Sequence, residues 1–283
     1  LSLSLSLMAS SPLRGIPLSF ESLEKFFFDI NGLKLFVVRH QREGTENNIP
    51  LICLPGALGT AWTDFKPQLD DLSYTRPVVS FDPRGYGKSR PPLRSFPTNF
   101  YHLDADDAHK IMVTLGYKKY DVMGWSDGAN SSVLLAAKHS DFVRKLIIFG
   151  GNPIVTKEDV LFANRIKDIN SWSKPMRESL LPVYGDSLQP LWTEYCETIQ
   201  KMSEENEGKV CKDECEMIHC PTLLLHGRKD PMVDSSHPVY FAAHIKNVQE
   251  HYWENGKHNI HLRYADEFNE IAKKFLDEPE SKM

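Results

Sequence analysis

The hydrophobic residues of this chain fall into short runs that alternate with longer amphipathic segments. Runs of strand length occupy 50–56, 76–82, 119–125, 145–151, 221–227 and 248–254. Segments of helix length occupy 99–117, 128–140 and 260–276. Strands that alternate with helices predict a mostly parallel sheet with helices on both faces. Ligands of such sheets bind at the carboxyl ends of the strands.

Two further features complete the predicted fold. Asn31-Gly32 separates two β-rich runs, which predicts an antiparallel N-terminal hairpin in an eight-stranded sheet. Between 152 and 219 no apolar strand run occurs, and large apolar residues lie in charge-rich, helix-compatible surroundings. We interpret 152–219 as a helical cap inserted into a core that is formed by 21–151 and 220–278.

Composition and charge restrict the kind of partner. The chain has 283 residues, of which 41% are hydrophobic, and its formal net charge is −5. This composition suits one large globular domain. The lack of a long Lys/Arg block argues against nucleic acid or anionic lipid as a partner, and no apolar run is long enough to span a membrane. We therefore expect a soluble monomer that acts on a small molecule.

The N-terminal segment and the cysteines bear on location. Residues 1–20 are Ser-rich and begin without a methionine, which predicts a disordered leader or a transit segment. The five cysteines are odd in number and unevenly spread, which favours free thiols in a reducing compartment, cytoplasmic or mitochondrial. Cys211, Cys215, His219 and Cys220 match no zinc spacing, so we expect no metal site.

The most informative motif lies at 124–128, where Gly-Trp-Ser-Asp-Gly fits G-x-S-x-G. A predicted strand precedes it and a predicted helix follows it, which is the context that exposes a serine on a tight, strained turn. Gly124 and Gly128 are required because a side chain at either position would clash. We predict that Ser126 is a nucleophile.

A serine hydroxyl needs a base to take its proton and a third group to hold that base. In this type of fold the acid and then the histidine follow the serine along the chain. Asp230 comes just after a buried strand, and His258 lies on a loop between the last strand and the last helix. We therefore predict a catalytic triad of Ser126, Asp230 and His258.

Three other residues compete for these roles. His226, at a strand end, is more typical of a packed structural histidine. His261 is more typical of a surface or capping residue on the first turn of the final helix, and Asp82 of a residue that stabilises a turn.

An oxyanion formed at the substrate needs two backbone amides as donors. One is expected from Asp127, the residue after the nucleophile. The other is expected from Ala57 or Leu58, in the loop after the third strand, and the sequence leaves both open.

Five segments together resemble the α/β-hydrolase superfamily, and within it the biphenyl hydrolase-like, or valacyclovir hydrolase, family of α-amino acid ester hydrolases. They are LPGALGT, FDPRGYGKSRPP, GWSDG, HGRKDPMV and GKHNIHLRYADEFN. The similarity runs from about Phe26 to Leu276. It implies an acyl-enzyme mechanism through Ser126, Asp230 and His258, without a metal or an organic cofactor.

The resemblance also gives Asp127 a role, since the aspartate beside the nucleophile in this family binds the protonated α-amino group of the ester. A cation there would compensate a charge that otherwise opposes the oxyanion. The alternative is that Asp127 only caps the following helix. We expect the Trp and Met residues of the cap, Trp172, Met176, Trp192 and Met202, to line the acyl or leaving-group pocket.

Other functions fit the same fold. A hydrolase of carbon–carbon bonds and a general carboxylesterase would share the triad without needing a carboxylate for an ammonium. A non-catalytic binding protein on this scaffold is a third alternative, although an intact triad argues against it.

Overall fold

An eight-stranded sheet runs through residues 18–279, the part of the chain that the computed structural model describes. The spatial order of its strands is β1-β2-β4-β3-β5-β6-β7-β8. β2 pairs antiparallel with β1 and with β4, and every other neighbouring pair is parallel. The strands are β1 Glu24–Ile30, β2 Leu33–His40, β3 Leu51–Leu54, β4 Val78–Phe81, β5 Tyr120–Trp125, β6 Val143–Phe149, β7 Thr222–Gly227 and β8 Val248–Trp253.

The first two strands form the predicted hairpin. Asn31 and Gly32 both have positive φ angles, of 54° and 78°, and Ile30 pairs with Leu33 across the turn. Such angles are those of the two-residue hairpin turns that Asn-Gly favours. The mostly parallel sheet with an antiparallel start is therefore confirmed.

Helices follow most of the strands. Those within residues 18–279 are α1 Ala61–Asp71, α2 Phe100–Thr114, α3 Asp127–Lys138, α4 Lys157–Ile166, α5 Lys174–Tyr184, α6 Leu188–Glu204, α7 Ser236–His244, α8 Ile260–Arg263 and α9 Ala265–Asp277. The apolar pattern did not predict α1 and α7, and both contain a proline, Pro67 and Pro238. The segment predicted as one helix at 260–276 is two helices, because Tyr264 has a non-helical backbone, with ψ of 40°.

Helices cover both faces of the sheet, as predicted. In β5 the consecutive residues Val122 and Met123 are both fully buried. Successive side chains of a strand point to opposite faces, and Val122 belongs to the cluster that includes α2 and α3, whereas Met123 belongs to the cluster that includes α1 and α9.

The segment between β6 and β7 contains α4, α5 and α6, and an isolated bridge joins Ile154 to Lys209. Its buried residues, among them Trp192 and Leu188, belong to the same apolar cluster as α2 and α3. The division of the chain into a core and a cap at 152 and 219 stays a prediction.

Parts of other predictions fall at the ends of the chain. Most of the predicted leader, residues 1–17, lies outside the described residues. Leu18 is buried and the Phe20 ring packs on Trp62 with 5.3 Å between centroids, so the last residues of that segment contact the core. Between residues 18 and 279 no helix combines the length and the hydrophobicity that crossing a bilayer requires.

His261 lies in the core, and the prediction of a surface or capping residue is wrong. Its imidazole is fully buried, with the rings of Trp125, Phe149 and Phe65 within 5.6 Å between centroids. The reason is that α8 packs against α1, so its second residue faces inward. Burial lowers the pKa of His261 to about 3.

Replacing His261 with Phe should make the protein less sensitive to acid. An unfolded imidazole takes up a proton below about pH 6.5, whereas His261 in the folded protein stays neutral, so stability is lost as the pH falls from 6.5 toward 3. Between pH 7 and pH 5 the wild type should lose about 2 kcal/mol more than His261→Phe. Urea unfolding at the two pH values measures this difference. A control variant of the exposed His219 should follow the wild type, and equal losses in His261→Phe would contradict the prediction.

Candidate active site

Ser126 occupies a strained turn between β5 and α3. Its φ of 57° and ψ of −123° are unusual for a residue with a side chain, and its N–H donates to the carbonyl of Phe149 at 2.9 Å. A Cβ on Gly124 would overlap the carbonyl of Gly128, and one on Gly128 would overlap the carbonyl of Leu54. The two glycines therefore allow the backbone contacts that present the serine above the sheet.

The structure brings Ser126, His258 and Asp230 together at the carboxyl ends of β5, β8 and β7. His258 Nε2 lies 3.1 Å from Ser126 Oγ, and His258 Nδ1 lies 2.8 Å from Asp230 Oδ2. Asp230 Oδ1 accepts the backbone N–H groups of Met232 and Val233 at 2.8 and 3.2 Å. Burial alone would raise the pKa of Asp230, but His258 and the N–H of Met232 outweigh it and the pKa is lowered.

Neighbours of the serine hold the histidine loop in place. Trp125, the variable residue of the motif before Ser126, donates its indole N–H to the carbonyl of His258 at 3.0 Å. Gly150 has a φ of 65°, and a Cβ there would lie 3.0 Å from His258 Cε1. The sequence motif gave no indication that Trp125 and Gly150 position His258.

The competing residues lie in structural positions. His226 is buried within β7, where its ring packs edge-on to Tyr252. Asp82 accepts the backbone N–H groups of Ala61 and Lys88 at 3.0 and 2.7 Å, in agreement with a turn-stabilising role.

The two candidates for the second oxyanion donor differ in exposure. Ala57 lines the cavity above Ser126, whereas Leu58 is 1% exposed and does not. Leu58 has a φ of 60° and its carbonyl accepts the hydroxyl of Tyr184 at 2.8 Å. Of the two residues, Ala57 is therefore the one that borders the cavity, and the choice of donor stays a prediction. Asp127, the first residue of α3, places its N–H at the positive end of a helix.

The Asp127 carboxylate is buried beside the nucleophile. Its Oδ1 accepts the hydroxyls of Tyr195 on α6 and Tyr101 on α2, at 2.9 and 3.1 Å. Its Oδ2 is buried and has no hydrogen-bond partner within residues 18–279. Burial raises the pKa of Asp127 to about 6, although both tyrosines lower it. The N-cap of α3 is Ser126, and the Asp127 carboxylate accepts from hydroxyls on α2 and α6 instead, which disfavours a purely capping role.

A cavity of about 80 Å³ opens above Ser126. Within the described part of the chain its lining contains no Lys or Arg. Trp192 lines it, as predicted, whereas the prediction for Trp172, Met176 and Met202 is wrong. Trp172 packs edge-on against Trp192, and Met202 lines a different cavity, beside Tyr101. Its lining residues are Ala57, Ser126, Asp127, Gly150, Asn152, Asp159, Phe162, Ala163, Ile166, Trp192, Tyr195, Ile199, Met232, Val233 and His258.

Cys211, Cys215, His219 and Cys220 lie in the segment between α6 and β7. The Cys215 thiol donates to the carbonyl of Cys211 at 3.2 Å, and the five cysteines are free. From residue 18 to residue 279, no group of three or more His, Cys, Asp or Glu side chains is placed to hold a metal ion.

Comparison with known proteins identifies the family. The model for the α/β-hydrolase fold matches residues 49–168. Serine hydrolase BPHL of Mus musculus is 41% identical over 249 residues, which cover 87% of this chain and 84% of that protein. The Homo sapiens protein of the same name is 39% identical, with the same coverage. The chain belongs to the serine hydrolase BPHL family of α/β hydrolases. Like its BPHL relatives it is a hydrolase, and its substrate is a small molecule.

More distant proteins share the fold. A 2-hydroxymuconate semialdehyde hydrolase of Pseudomonas is 23% identical over 241 residues, which cover 78% of this BPHL-family chain and 84% of that protein. The solved 2-hydroxy-6-oxo-6-phenylhexa-2,4-dienoate hydrolase from Rhodococcus superposes with a TM-score of 0.75 at 16% identity, over 91% of this chain and all of the other. At this identity the superposition concerns the fold alone.

Proposed function

We propose that this protein hydrolyses α-amino acid esters, of the type found in valacyclovir and related aminoacyl prodrugs, through an acyl-enzyme. The observation that carries the proposal is a buried carboxylate with one unpaired oxygen, Asp127, on the wall of a cavity that also contains Ser126 and His258. A small cavity with an anionic wall suits a compact substrate that carries a positive charge.

In the first half of the reaction, Ser126 Oγ attacks the ester carbonyl. His258 Nε2, 3.1 Å away, takes the hydroxyl proton and then gives it to the departing alcohol. Asp230 holds the Nδ1–H tautomer of His258 and stabilises the imidazolium that forms. In the second half a water, activated by His258, releases the amino acid and restores the serine.

The negative oxygen of each tetrahedral intermediate is stabilised by the backbone amides of Asp127 and Ala57. Donors of this kind are each worth about 3 kcal/mol when removed. Because these donors are backbone groups on a helix start and a braced loop, they need no rearrangement when the charge develops.

Asp127 would also select the substrate, through its side chain. A protonated α-amino group beside Asp127 compensates the carboxylate and pairs with its free oxygen, whose burial without a partner costs free energy. An ester that lacks the ammonium leaves the carboxylate unpaired and loses this interaction. We further propose that the protein acts as a monomer, in the cytoplasm or the mitochondrion.

Replacing Ser126 with Ala should abolish esterase activity. Removal of the nucleophile of such a triad lowers kcat by about 10⁶-fold. Turnover of a valyl ester and labelling by a fluorophosphonate probe measure the effect, with circular dichroism as the check on folding. A folded Ser126→Ala variant that keeps activity, or a wild type that the probe does not label, would support a binding protein without this chemistry.

Replacing Asp127 with Asn should weaken turnover of a valyl ester much more than that of its N-acetylated counterpart. Loss of the charge pair costs about 2–4 kcal/mol, or about 30- to 1,000-fold in kcat/KM. The ratio of the two kcat/KM values is the measurement, because effects on the shared chemistry cancel. If the ratio is the same in the variant and the wild type, a general carboxylesterase is the better description.

The preference for the amino ester should also depend on pH. Asp127 in the free protein has a pKa raised to about 6 by burial, so the carboxylate is charged above pH 6 and neutral below it. The ratio of kcat/KM for the valyl ester to that for its N-acetyl ester should fall about tenfold per pH unit below pH 6. Asp127→Asn should show no such fall, and a flat wild-type ratio from pH 7 to 5 would contradict the proposal.

A carbon–carbon bond hydrolase is the second candidate, because a distant relative that matches most of this chain is a 2-hydroxymuconate semialdehyde hydrolase. Assay of a ring-fission diketone against the valyl ester separates the two, and a higher kcat/KM for the diketone would favour the second.

A further inference from the structure

A second buried carboxyl, Asp64, lies beneath the loop of residues 56–59, which we call the oxyanion loop. Asp64 belongs to the first turn of α1 and is 5% exposed. Its Oδ2 accepts the backbone N–H of Gly56 at 3.0 Å, and its Oδ1 accepts the hydroxyl of Thr63 at 2.7 Å. The side chain therefore connects α1 to the first residue of the oxyanion loop.

The oxyanion loop is shaped around this carboxyl. A Cβ on Gly59 would overlap the Asp64 carboxyl group. The φ of Gly59 lies outside the positive region, so the space taken by Asp64, and not the backbone angle, requires a glycine there. The N–H of Gly59 donates to the carbonyl of Gly56 at 3.0 Å, which closes the loop over the carboxyl.

The other side of the oxyanion loop faces the nucleophile. A Cβ on Gly56 would lie 3.1 Å from Ser126 Cβ, so the loop backbone is in contact with the serine. Tyr184 holds the carbonyl of Leu58. Ala57 thus lies between two fixed points, the N–H of Gly56 on Asp64 and the carbonyl of Leu58 on Tyr184.

The burial of Asp64 at the start of α1 is not explained by a need to cap that helix. The N-cap of α1 is Thr60, whose hydroxyl accepts the N–H of Thr63 while the Thr63 hydroxyl accepts the N–H of Thr60. This reciprocal pair already satisfies the helix start. Burial, with a smaller effect of the neighbouring Asp82, raises the pKa of Asp64 to about 7. Burying a carboxylate costs free energy, so this position is more typical of a functional site than of a stabilising cap.

We infer that Asp64 is a positioning residue, whose carboxyl fixes the oxyanion loop so that the amide of Ala57 points at the oxygen of the tetrahedral intermediate. The inference rests on the proposed oxyanion role of Ala57. Asp64 touches neither substrate nor the reacting atoms. By positioning the oxyanion loop it should affect the rates of acylation and deacylation alike, whatever acyl group is bound.

The test compares Asp64→Ala with Asp64→Asn. The alanine removes the acceptor for Gly56, so kcat per active site should fall about 10- to 100-fold, less than the loss of a whole oxyanion donor, while KM changes less than about twofold. The affinity for a boronic acid, which forms a tetrahedral adduct on the serine, should fall by the same factor as kcat. Asparagine keeps an acceptor for Gly56 and can donate to Thr63, so Asp64→Asn should restore most of kcat.

The number of active sites is counted by complete labelling with a fluorophosphonate, so that a loss of folded protein does not count as a loss of kcat. An Asp64→Ala variant with a lower melting temperature but wild-type kcat per labelled site would show a purely structural role and overturn the inference. So would an Asp64→Asn variant as slow as Asp64→Ala.

A double-mutant cycle with Gly59→Ala gives a second readout. Gly59→Ala alone pushes the methyl group against Asp64 and should lower kcat, whereas in the Asp64→Ala background the methyl group enters vacated space and should have little further effect. Additive effects would contradict the inference. If Asp64→Ala does not fold, Asp64→Ser, which is too short to reach Gly56, takes its place in the cycle.

Failure of this inference can be told from failure of the proposed function. Ala57→Pro removes the amide itself, and an undiminished kcat in that variant would reject Ala57 as the donor. A slow Ala57→Pro with an unaffected Asp64→Ala would reject only the role of Asp64. The ratio for amino and N-acetyl esters should stay unchanged in every Asp64 variant, because Asp127 is intact.

Discussion

The strained turn at Ser126 is the constraint on which the rest of the site depends. Its positive φ is possible because the turn is held by a strand on one side and a helix on the other, with glycines where their backbones approach. A nucleophile fixed in this way defines where the base, the acid and the oxyanion donors must lie. In the proposed mechanism the loops after β3, β7 and β8 supply them, since these strands of the parallel sheet all end at the same edge as β5.

The site also contains a buried carboxylate, Asp127, next to the place where the proposed reaction creates a negative oxygen. Burial favours a neutral Asp127, the two tyrosines favour its charged form, and the result is a pKa of about 6. The carboxylate is therefore charged at neutral pH yet incompletely paired. One of the tyrosines, Tyr195, comes from α6, so the helical segment between β6 and β7 contributes directly to the state of a group on α3.

Asp127 and Asp64 are both buried, but their carboxyl oxygens differ in hydrogen bonding. Both carboxyls lie in the first turn of a helix, where the helix dipole favours negative charge, and burial raises the pKa of both. Asp127 lines the cavity and has one oxygen without a partner among residues 18–279, whereas both oxygens of Asp64 accept hydrogen bonds, from Gly56 and Thr63. The first arrangement suits recognition and the second suits positioning.

The sequence by itself predicted the alternation of strands and helices and the Asn31-Gly32 hairpin, because each is a local pattern with a local physical cause. The triad candidates rested instead on the order in which serine, acid and histidine follow one another in this type of fold. Only the tertiary structure decided which residues meet. His261, three residues after His258, is buried because α8 packs inward, and Tyr195 reaches Asp127 across 68 positions of the chain. Asp64 carries no motif at all, since its importance arises from the backbone amide that folding places against it. Contacts between distant segments depend on packing, and local hydrophobic pattern does not encode them.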